Sequence, residues 1–314
     1  MPSFNAINYS TRPSKTIQRQ VIFSCLERLS PILGLNNAAY IGFGSIWFTD
    51  FVLAHNRLGI ERMESIESDD VGFSRANFNK PYSMVSVHSG HSNEVLPNLL
   101  DDVELIERPW VIWLDYDGGL TESVIEDVRT LIEQAPENSV LLYTVSAAGN
   151  KYGNPRERRE DLQNLFGPVV PDDLAIGACK NERLQATLAE YGLEFMRSVA
   201  AEANRLGGFM PAFSVAYKDG SPMVTVGGVL ATEGNSHAVR EVTEAADWQG
   251  IVDELITAPH LTVRESAGIQ ALLPCGNDIS RQQIQELGFD LSEEEIAIFQ
   301  RYYKQYPSFA QVVF

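Results

Sequence analysis

The sequence predicts an α/β protein with a mostly parallel β-sheet, helices on both faces of the sheet, and an antiparallel hairpin at its end. Three observations support this fold class. A strand, a glycine turn, a helix and a second strand follow one another over residues 38–67. Further apolar runs of strand length alternate with helical segments, which is typical of a sheet covered on both faces. Finally, Lys218-Asp219-Gly220-Ser221 separates two apolar runs, and an Asp-Gly pair in that position indicates a hairpin.

Composition is that of an ordinary soluble globular protein. Of the 314 residues, 44% are hydrophobic and 21% are charged. The 42 acidic residues outnumber the 24 Lys and Arg residues, and the net charge of −18 argues against nonspecific nucleic-acid binding, which needs positive potential. No apolar run is long enough for a membrane span, and the N-terminus lacks the apolar core of a signal peptide. Cys25, Cys179 and Cys275 are too scattered for a disulfide framework, so we expect a cytoplasmic protein.

Residues 1–37 are predicted to form an N-terminal helical arm. An apolar stripe runs from Ile17 to Leu29, Ser14 is a candidate N-cap, and Gly34 follows the end of the helix. We expect this helix to dock at the edge of the sheet and to reach over the glycine turn. The arm also carries four basic residues: Arg12, Lys15, Arg19 and Arg28. Our interpretation is a solvent-exposed helix face, and a local basic groove is the alternative.

The unit at residues 38–67 is a candidate cofactor site. Its first strand, Ala38–Ile41, leads into Gly42-Phe43-Gly44-Ser45, where glycine allows a sharp turn and a close approach to a ligand. A helix that stops at Gly59 and a strand over Arg62–Ile66 follow, and Glu67 lies at the strand's tip. A carboxylate about 20–25 residues beyond a glycine turn is typical of adenosine-binding sites, because it can accept both ribose hydroxyls. A strand–helix–strand unit that binds no ligand is the alternative.

The remaining elements of this domain, which we place at residues 38–240, follow from apolar runs and breaks. We predict a polar loop over Ser68–Lys80, strands over Pro81–Val87, Trp110–Leu114 and Val140–Val145, a helix that begins at Thr121, and the hairpin strands Phe209–Tyr217 and Met223–Leu230.

Two helical additions complete the chain. A charged insertion at residues 150–206 follows the fifth strand and contains the basic residues Lys151, Arg156, Arg158 and Arg159. Since it leaves the sheet at the strands' carboxyl ends, we expect it to roof the pocket. Residues 241–314 are predicted to form a helical C-terminal extension. Its helices are expected over Asp247–Ile256, Arg281–Leu287 and Ser292–Tyr303, the last with a capping-box start.

Several motifs at the strand tips resemble those of S-adenosylmethionine-dependent methyltransferases. Tyr40-Ile41-Gly42-Phe43-Gly44 resembles the acidic-x-Gly-x-Gly turn of that superfamily, with Tyr40 in the acidic position. Ile66-Glu67 resembles its ribose-binding tip, and the segment from Gly90 to Leu99 is similar to Gly-Asp-Ala-x-x-x-Leu-Pro of small-molecule O-methyltransferases, with His91 in the Asp position. Trp113-Leu114-Asp115-Tyr116-Asp117 resembles the fourth motif. The resemblance covers residues 38–232. The sequence as a whole most resembles a group of bacterial proteins that are described as O-methyltransferases.

This resemblance implies a Rossmann-like methyltransferase fold and S-adenosylmethionine as the cofactor. It implies catalytic roles for Asp115, beside the methyl donor, and for His91, a candidate base. The cofactor-binding residues that it implies are Gly42, Gly44, Ser45, Glu67, Gly90, His91, Ser92, Asp115 and Tyr116. Metal-dependent members of the superfamily need an Asp-Asn pair after the fifth strand, where this chain has Ser146-Ala147-Ala148-Gly149-Asn150, so we predict no metal.

Three functions are consistent with these residues. The first is methyl transfer, with oxygen as the expected acceptor atom of an unidentified small molecule or macromolecule. The second is a catalytically silent module that senses a cofactor or nucleotide and acts with a partner protein or as a homodimer. The third, a dinucleotide-binding oxidoreductase, is disfavoured because Trp47 stands where the third glycine of the dinucleotide fingerprint is expected.

Overall fold

A computed structural model of the chain describes residues 12–307, and its centre is one eight-stranded sheet. The strands are β1 Ala39–Gly42, β2 Arg62–Glu67, β3 Val85–Ser89, β4 Trp110–Asp115, β5 Ser139–Ser146, β6 Phe209–Lys218, β7 Pro222–Leu230 and β8 Ile251–Ile256. Their order is β3-β2-β1-β4-β5-β7-β6-β8. Only β7, among these strands, runs antiparallel to its neighbours. The mostly parallel sheet with a terminal hairpin is therefore confirmed.

Twelve α-helices of the described part of the chain surround this sheet. They are α1 Pro13–Leu33, α2 Thr49–Leu58, α3 Asp70–Asn79, α4 Ser92–Leu100, α5 Val103–Ile106, α6 Glu122–Gln134, α7 Pro155–Phe166, α8 Leu184–Glu202, α9 Ser236–Thr243, α10 Val263–Gln270, α11 Arg281–Glu286 and α12 Glu293–Tyr302. None of the helices within residues 12–307 is both long and apolar enough to cross a membrane.

The central strand β4 explains why the sheet needs helices on both faces. Its side chains alternate between two apolar cores: Trp110, Ile112 and Leu114 belong to one, and Val111 and Trp113 to the other. The first core is completed by α4, α6 and α8, and the second by α1 and α2. All five side chains are almost completely buried, which is why this strand reads as a continuous apolar run.

The segment between β2 and β3 differs from its prediction. Ser68–Lys80 is predicted as a polar loop, but residues Asp70–Asn79 form α3, which begins with Asp69 accepting a hydrogen bond from Gly72 N at 2.7 Å. Helix α3 lies largely in solvent, so its sequence carries no apolar stripe. The following strand begins at Val85 rather than Pro81.

The C-terminal extension also contains an error of prediction. Asp247–Ile256 is predicted as a helix, but Ile251–Ile256 forms β8, which pairs in parallel with β6 and extends the sheet. The open edge of β6 offers backbone groups that a further strand satisfies. The predicted helices near residues 281 and 292 are confirmed as α11 and α12, and Ser292 caps α12 as expected.

Helix α1 begins two residues earlier than predicted and is anchored at the hairpin. Ser14 is not its N-cap; that position is Arg12, followed by Pro13. The backbone N–H of Ser14 donates to Asp219 Oδ1 at 2.9 Å, and its hydroxyl donates to Lys218 O at 3.0 Å. Helix α1 therefore starts beside the β6–β7 turn, at the edge of the sheet where the parallel strands end. The boundaries proposed at residues 37/38 and 240/241 stay predictions.

Candidate active site

A cavity of about 520 Å³ opens at the carboxyl ends of β1, β2, β3 and β4. This volume suits a small-molecule ligand, and ligands of open α/β sheets bind at this edge. Its walls are formed by Lys15 and Arg19 of α1, by Phe43, Gly44, Ser45, Trp47, Thr49 and Asp50 after β1, by Ile66, Glu67, Ser68 and Asp69 after β2, by Gly90, His91 and Ser92 after β3, and by Asp115, Tyr116 and Asp117 after β4.

The sequence-predicted site residues come together at this cavity with one exception. Eight of the nine line it, and Gly42 does not. Gly42 lies behind the wall in β1, where a Cβ atom would come within 2.8 Å of the main-chain oxygen of Trp113 in β4. The structure thus gives Gly42 a role in strand packing, and a role in cofactor binding stays a prediction.

The turn after β1 is tight and locally strained. Ser45 and Phe48 both have φ of 48°, in the left-handed region that side chains other than glycine seldom adopt. Gly44 donates its N–H to Ser65 Oγ at 3.2 Å, and a Cβ atom on Gly44 would lie 2.6 Å from that oxygen. Phe48 is buried beneath the turn. Strain of this kind is retained mainly where a functional conformation requires it.

Glu67 is a half-buried carboxylate at the end of β2. It accepts a hydrogen bond from Asp69 N at 3.2 Å, and its own carbonyl accepts one from Gly90 N at 3.0 Å. Helix α3 packs closely over the side chain, since a Cβ atom on Gly72 would lie 2.8 Å from the carboxyl carbon. Burial raises the pKa of Glu67 above its ordinary value, although the Asp69 N–H opposes this shift.

Asp127 ties together two of the predicted residues. This buried carboxylate on α6 accepts hydrogen bonds from Ser92 Oγ at 2.5 Å and from Tyr116 Oη at 2.6 Å. Burial raises the pKa of Asp127, while both hydroxyl donors lower it. The ring of Tyr116 is further held edge-on by Phe43, with 5.1 Å between ring centroids. Asp127 was not among the predicted site residues, although it lies on the buried side of the helix that follows β4.

His91 lies exposed at the mouth of the cavity and is the N-cap residue that precedes α4. Its N–H donates to the carboxylate of Glu94 at 3.1 Å, which fixes the backbone at the first turn. The imidazole is available to solvent, and its predicted role as a base stays a prediction.

The basic residues of α1 contradict the exposed-face interpretation. Lys15 Nζ lies 2.5 Å from Asp115 Oδ2, and Arg19 Nε lies 2.5 Å from Asp50 Oδ1. In each pair the basic side chain is 6% exposed and the acidic one 12%. Arg28, in contrast, is partly exposed and pairs with Asp247. Two of the four predicted surface cations are therefore walls of the cavity.

These buried charges perturb one another. Burial raises the pKa of Asp50, and Arg19 acts against that shift. Burial alone would lower the pKa of Arg19, but Asp50 and Asp115 reverse the effect and raise it. The positive charge on this side of the cavity is therefore held in place by the neighbouring acids.

The insertion at residues 150–206 does not roof this cavity, contrary to expectation. No described wall residue comes from it. Arg158, one of its basic residues, is buried and donates to Cys179 O at 2.8 Å and to Gly153 O at 2.9 Å, so it stabilises the insertion itself. Helix α8 packs on β6 and β7. Over residues 12–307, no group of three or more His, Cys, Asp or Glu side chains is arranged to hold a metal ion.

The strand order and the cavity at the strand ends define a Rossmann-like α/β protein of the methyltransferase type. A family model described as "Putative O-methyltransferase" matches residues 7–314. The chain belongs to this family.

Three solved structures to which the chain is similar share little sequence with it. An arsenic(III) S-adenosylmethionine methyltransferase from Chlamydomonas reinhardtii is 10% identical over 63% of this chain and 64% of its own, with a TM-score of 0.38. Trm1 from Pyrococcus horikoshii with S-adenosylmethionine is 12% identical over 72% and 57%, with a TM-score of 0.43. An O-methyltransferase from Bacillus cereus with S-adenosylhomocysteine is 13% identical over 69% and 92%, with a TM-score of 0.35. The chain thus spans less than two thirds of the length of two of these structures. No curated protein matches it.

Proposed function

We propose that this protein transfers a methyl group from S-adenosylmethionine to an oxygen atom of an unidentified acceptor. One observation carries the proposal: eight of the nine residues that the motif resemblance assigns to the site line a single cavity of ligand size. Family membership agrees with it. Those residues come from four separate strand ends, so their convergence follows from the fold and not from their closeness in sequence.

The residues present fit the chemistry of this cofactor. Gly44 and the short hydroxyl side chain of Ser45 line the cavity after β1, where they suit the polar amino-acid tail. The carboxylate of Glu67 suits two ribose hydroxyls, and the segment from Gly90 to Ser92 suits the adenine ring. The walls carry five acids (Asp50, Glu67, Asp69, Asp115 and Asp117) against the two cations Lys15 and Arg19. This excess of negative charge favours a cofactor that carries net positive charge.

The cofactor supplies an activated methyl group on a positively charged sulfur. Transfer of that group to an acceptor oxygen would require the oxygen to be held in line with the methyl group and to lose its proton. The protein mainly has to align these atoms and take up that proton. Asp115 is the candidate proton acceptor, with Lys15 holding its carboxylate in position; His91 is the second candidate.

A catalytically silent sensing module is the alternative, and the ion pair between Lys15 and Asp115 favours it. That pair already neutralises the carboxylate that would otherwise take part in the reaction. In this alternative the cavity would bind the cofactor and report its presence to a partner protein or a second copy of the chain.

Calorimetric titration with S-adenosylmethionine and S-adenosylhomocysteine tests the proposal. Glu67→Ala should weaken binding by about 1.5–3 kcal/mol, the loss expected for hydrogen bonds to a charged group. The matched control is Glu61→Ala, an exposed acid just before the opposite end of β2, which should bind as the wild type does. A folded wild-type protein that binds neither ligand at millimolar concentration would refute the proposal. Binding without methyl transfer across a broad panel of acceptors would support the sensing module.

A further inference from the structure

We infer that Arg19, assisted by Lys15, forms a carboxylate-binding subsite in the candidate cavity. The inference rests on the proposed function insofar as it concerns the donor, whose amino-acid tail carries a carboxylate. The acceptor is the other source of such a group. The subsite is built by the N-terminal helix α1, which the motif resemblance over residues 38–232 does not cover.

Arg19 has unused donor capacity in a buried place. It is a wall residue of the cavity and is 5% exposed. Its Nε faces Asp50, but its Nη1 is shielded from solvent and has no hydrogen-bond partner among residues 12–307. Buried guanidinium donors are nearly always satisfied in folded proteins, so a missing partner at the wall of a cavity points to a ligand.

The carboxylate of the neighbouring ion pair, Lys15 with Asp115, also has an oxygen without a hydrogen-bond partner. Asp115 Oδ2 contacts Lys15, whereas Asp115 Oδ1 is buried without a hydrogen-bond partner in the described structure. Burying two cations on a helix is costly unless other groups compensate, and the charge of Arg19 is offset by two carboxylates, Asp50 and Asp115. The two cations and the two acids therefore form a site in which a charged group of a ligand can replace one of the internal ion pairs.

The chemistry of the ligand group follows from its surroundings. A guanidinium forms paired hydrogen bonds with the two oxygens of a carboxylate or with a phosphate. A phosphate would bring two negative charges into a cavity with five acids in its walls, whereas a carboxylate brings one. In this structure each cation already pairs with a carboxylate: Lys15 with Asp115, and Arg19 with Asp50. A carboxylate is accordingly the group that the site fits.

Two ligands that differ by one group provide the first test. S-Adenosylhomocysteine and its decarboxylated analogue differ only in the carboxylate, so the ratio of their dissociation constants isolates that group. If the subsite takes the donor's carboxylate, the wild type should prefer S-adenosylhomocysteine by about 10- to 150-fold, the range for a charge-assisted hydrogen bond. In the double variant Arg19→Gln/Asp50→Asn the ratio should fall to about twofold, mainly through weaker binding of S-adenosylhomocysteine.

The double variant avoids leaving Asp50 as a lone buried charge, which would threaten folding. Arg19→Lys keeps the charge but loses the planar fork, and it should give an intermediate ratio. The matched control is Arg28→Gln, on the same helix but outside the cavity, which should leave the ratio unchanged. Thermal melting of each variant confirms that it is folded.

A second titration tests whether the bound carboxylate belongs to the methyl acceptor instead of the donor. Benzoate is added to protein saturated with S-adenosylhomocysteine, with uncharged benzamide as its partner probe. An acceptor's carboxylate would be assigned to the subsite by two results together. The protein would bind benzoate but not benzamide and lose that binding in the double variant, and the ratio in the first test would be unchanged.

If the double variant alters neither the ratio nor benzoate binding, the inference is overturned. If the wild type binds neither adenosyl ligand, the proposed function fails, and benzoate titration of the free protein then decides the subsite alone.

Discussion

Replacing Gly42 by alanine tests whether this glycine serves the sheet. The residue is buried in β1, and the added methyl carbon would lie 2.8 Å from the main-chain oxygen of Trp113. Ordinary contacts of this kind begin near 3.4 Å, so β1 and β4 would have to separate by several tenths of an ångström. The obstructing atom belongs to a strand whose register with β1 pairs Gly42 with Trp113, so it cannot rotate away.

Extra methyl groups in well-packed interiors typically cost about 1–3 kcal/mol, and we expect Gly42→Ala to lie in this range. For a chain of this size the midpoint of thermal unfolding should fall by roughly 2–5 °C. Equilibrium urea denaturation gives the same quantity independently. Gly118→Ala is the matched control, because it is exposed at the same edge of the sheet and an added Cβ meets no atom within 4 Å. Its free energy of unfolding should change by less than about 0.5 kcal/mol.

Two outcomes would refute this reasoning about Gly42. One is an alanine variant as stable as the wild type, which would mean that the strands separate at little cost. The other is an equal loss in Gly118→Ala, which would mean that glycine matters at this edge for reasons unrelated to the close approach. If stability falls but affinity for S-adenosylhomocysteine does not, Gly42 contributes to the site only by packing.

Two further predictions concern the cofactor and a metal. Burial raises the pKa of Glu67, so its carboxylate is protonated at a higher pH than an ordinary Glu; affinity for S-adenosylhomocysteine should therefore decline as pH falls from neutrality, and Glu67→Gln should flatten this dependence in calorimetric titrations. An equally steep decline in Glu67→Gln would assign the effect to another group. Once an acceptor is found, activity should survive treatment with EDTA, because Ser146-Ala147-Ala148-Gly149-Asn150 lacks the Asp-Asn pair of metal-dependent relatives. Loss of activity that magnesium restores would contradict this prediction.

The elements that were predicted correctly are those whose signal is local. Strands β4 and β5 are buried on both faces, so each contains a run of apolar residues that is visible without knowledge of the fold. The hairpin depends on a turn at Asp219 and Gly220, where φ of 135° at Gly220 requires glycine. Parallel strands necessarily end at one edge of the sheet, so tip residues such as Glu67 and Asp115 could be placed together from sequence.

The elements that were missed depend on partners far away in the chain. Strand β8 pairs with β6, and only that neighbour decides that Ile251–Ile256 is extended rather than helical. Lys15 and Arg19 resemble surface residues on a helix, and nothing near them in sequence indicates burial. Their acidic partners lie 100 residues away at Asp115 and 31 residues away at Asp50, and both contacts depend on how α1 crosses the sheet.

The position of α1 also changes the meaning of the departure at Tyr40. The superfamily usually has an acid there, and its absence is one argument for a silent module. In this protein Tyr40 is buried, with its ring 4.9 Å edge-on from Phe51, so the position belongs to the apolar core. Charged groups beside the same turn come from the helices instead: Arg19 from α1 and Asp50 from α2. A missing acid at Tyr40 is therefore weak evidence for a silent site, since the cavity carries its charges on neighbouring elements, and α1 belongs to the site rather than to a dispensable arm.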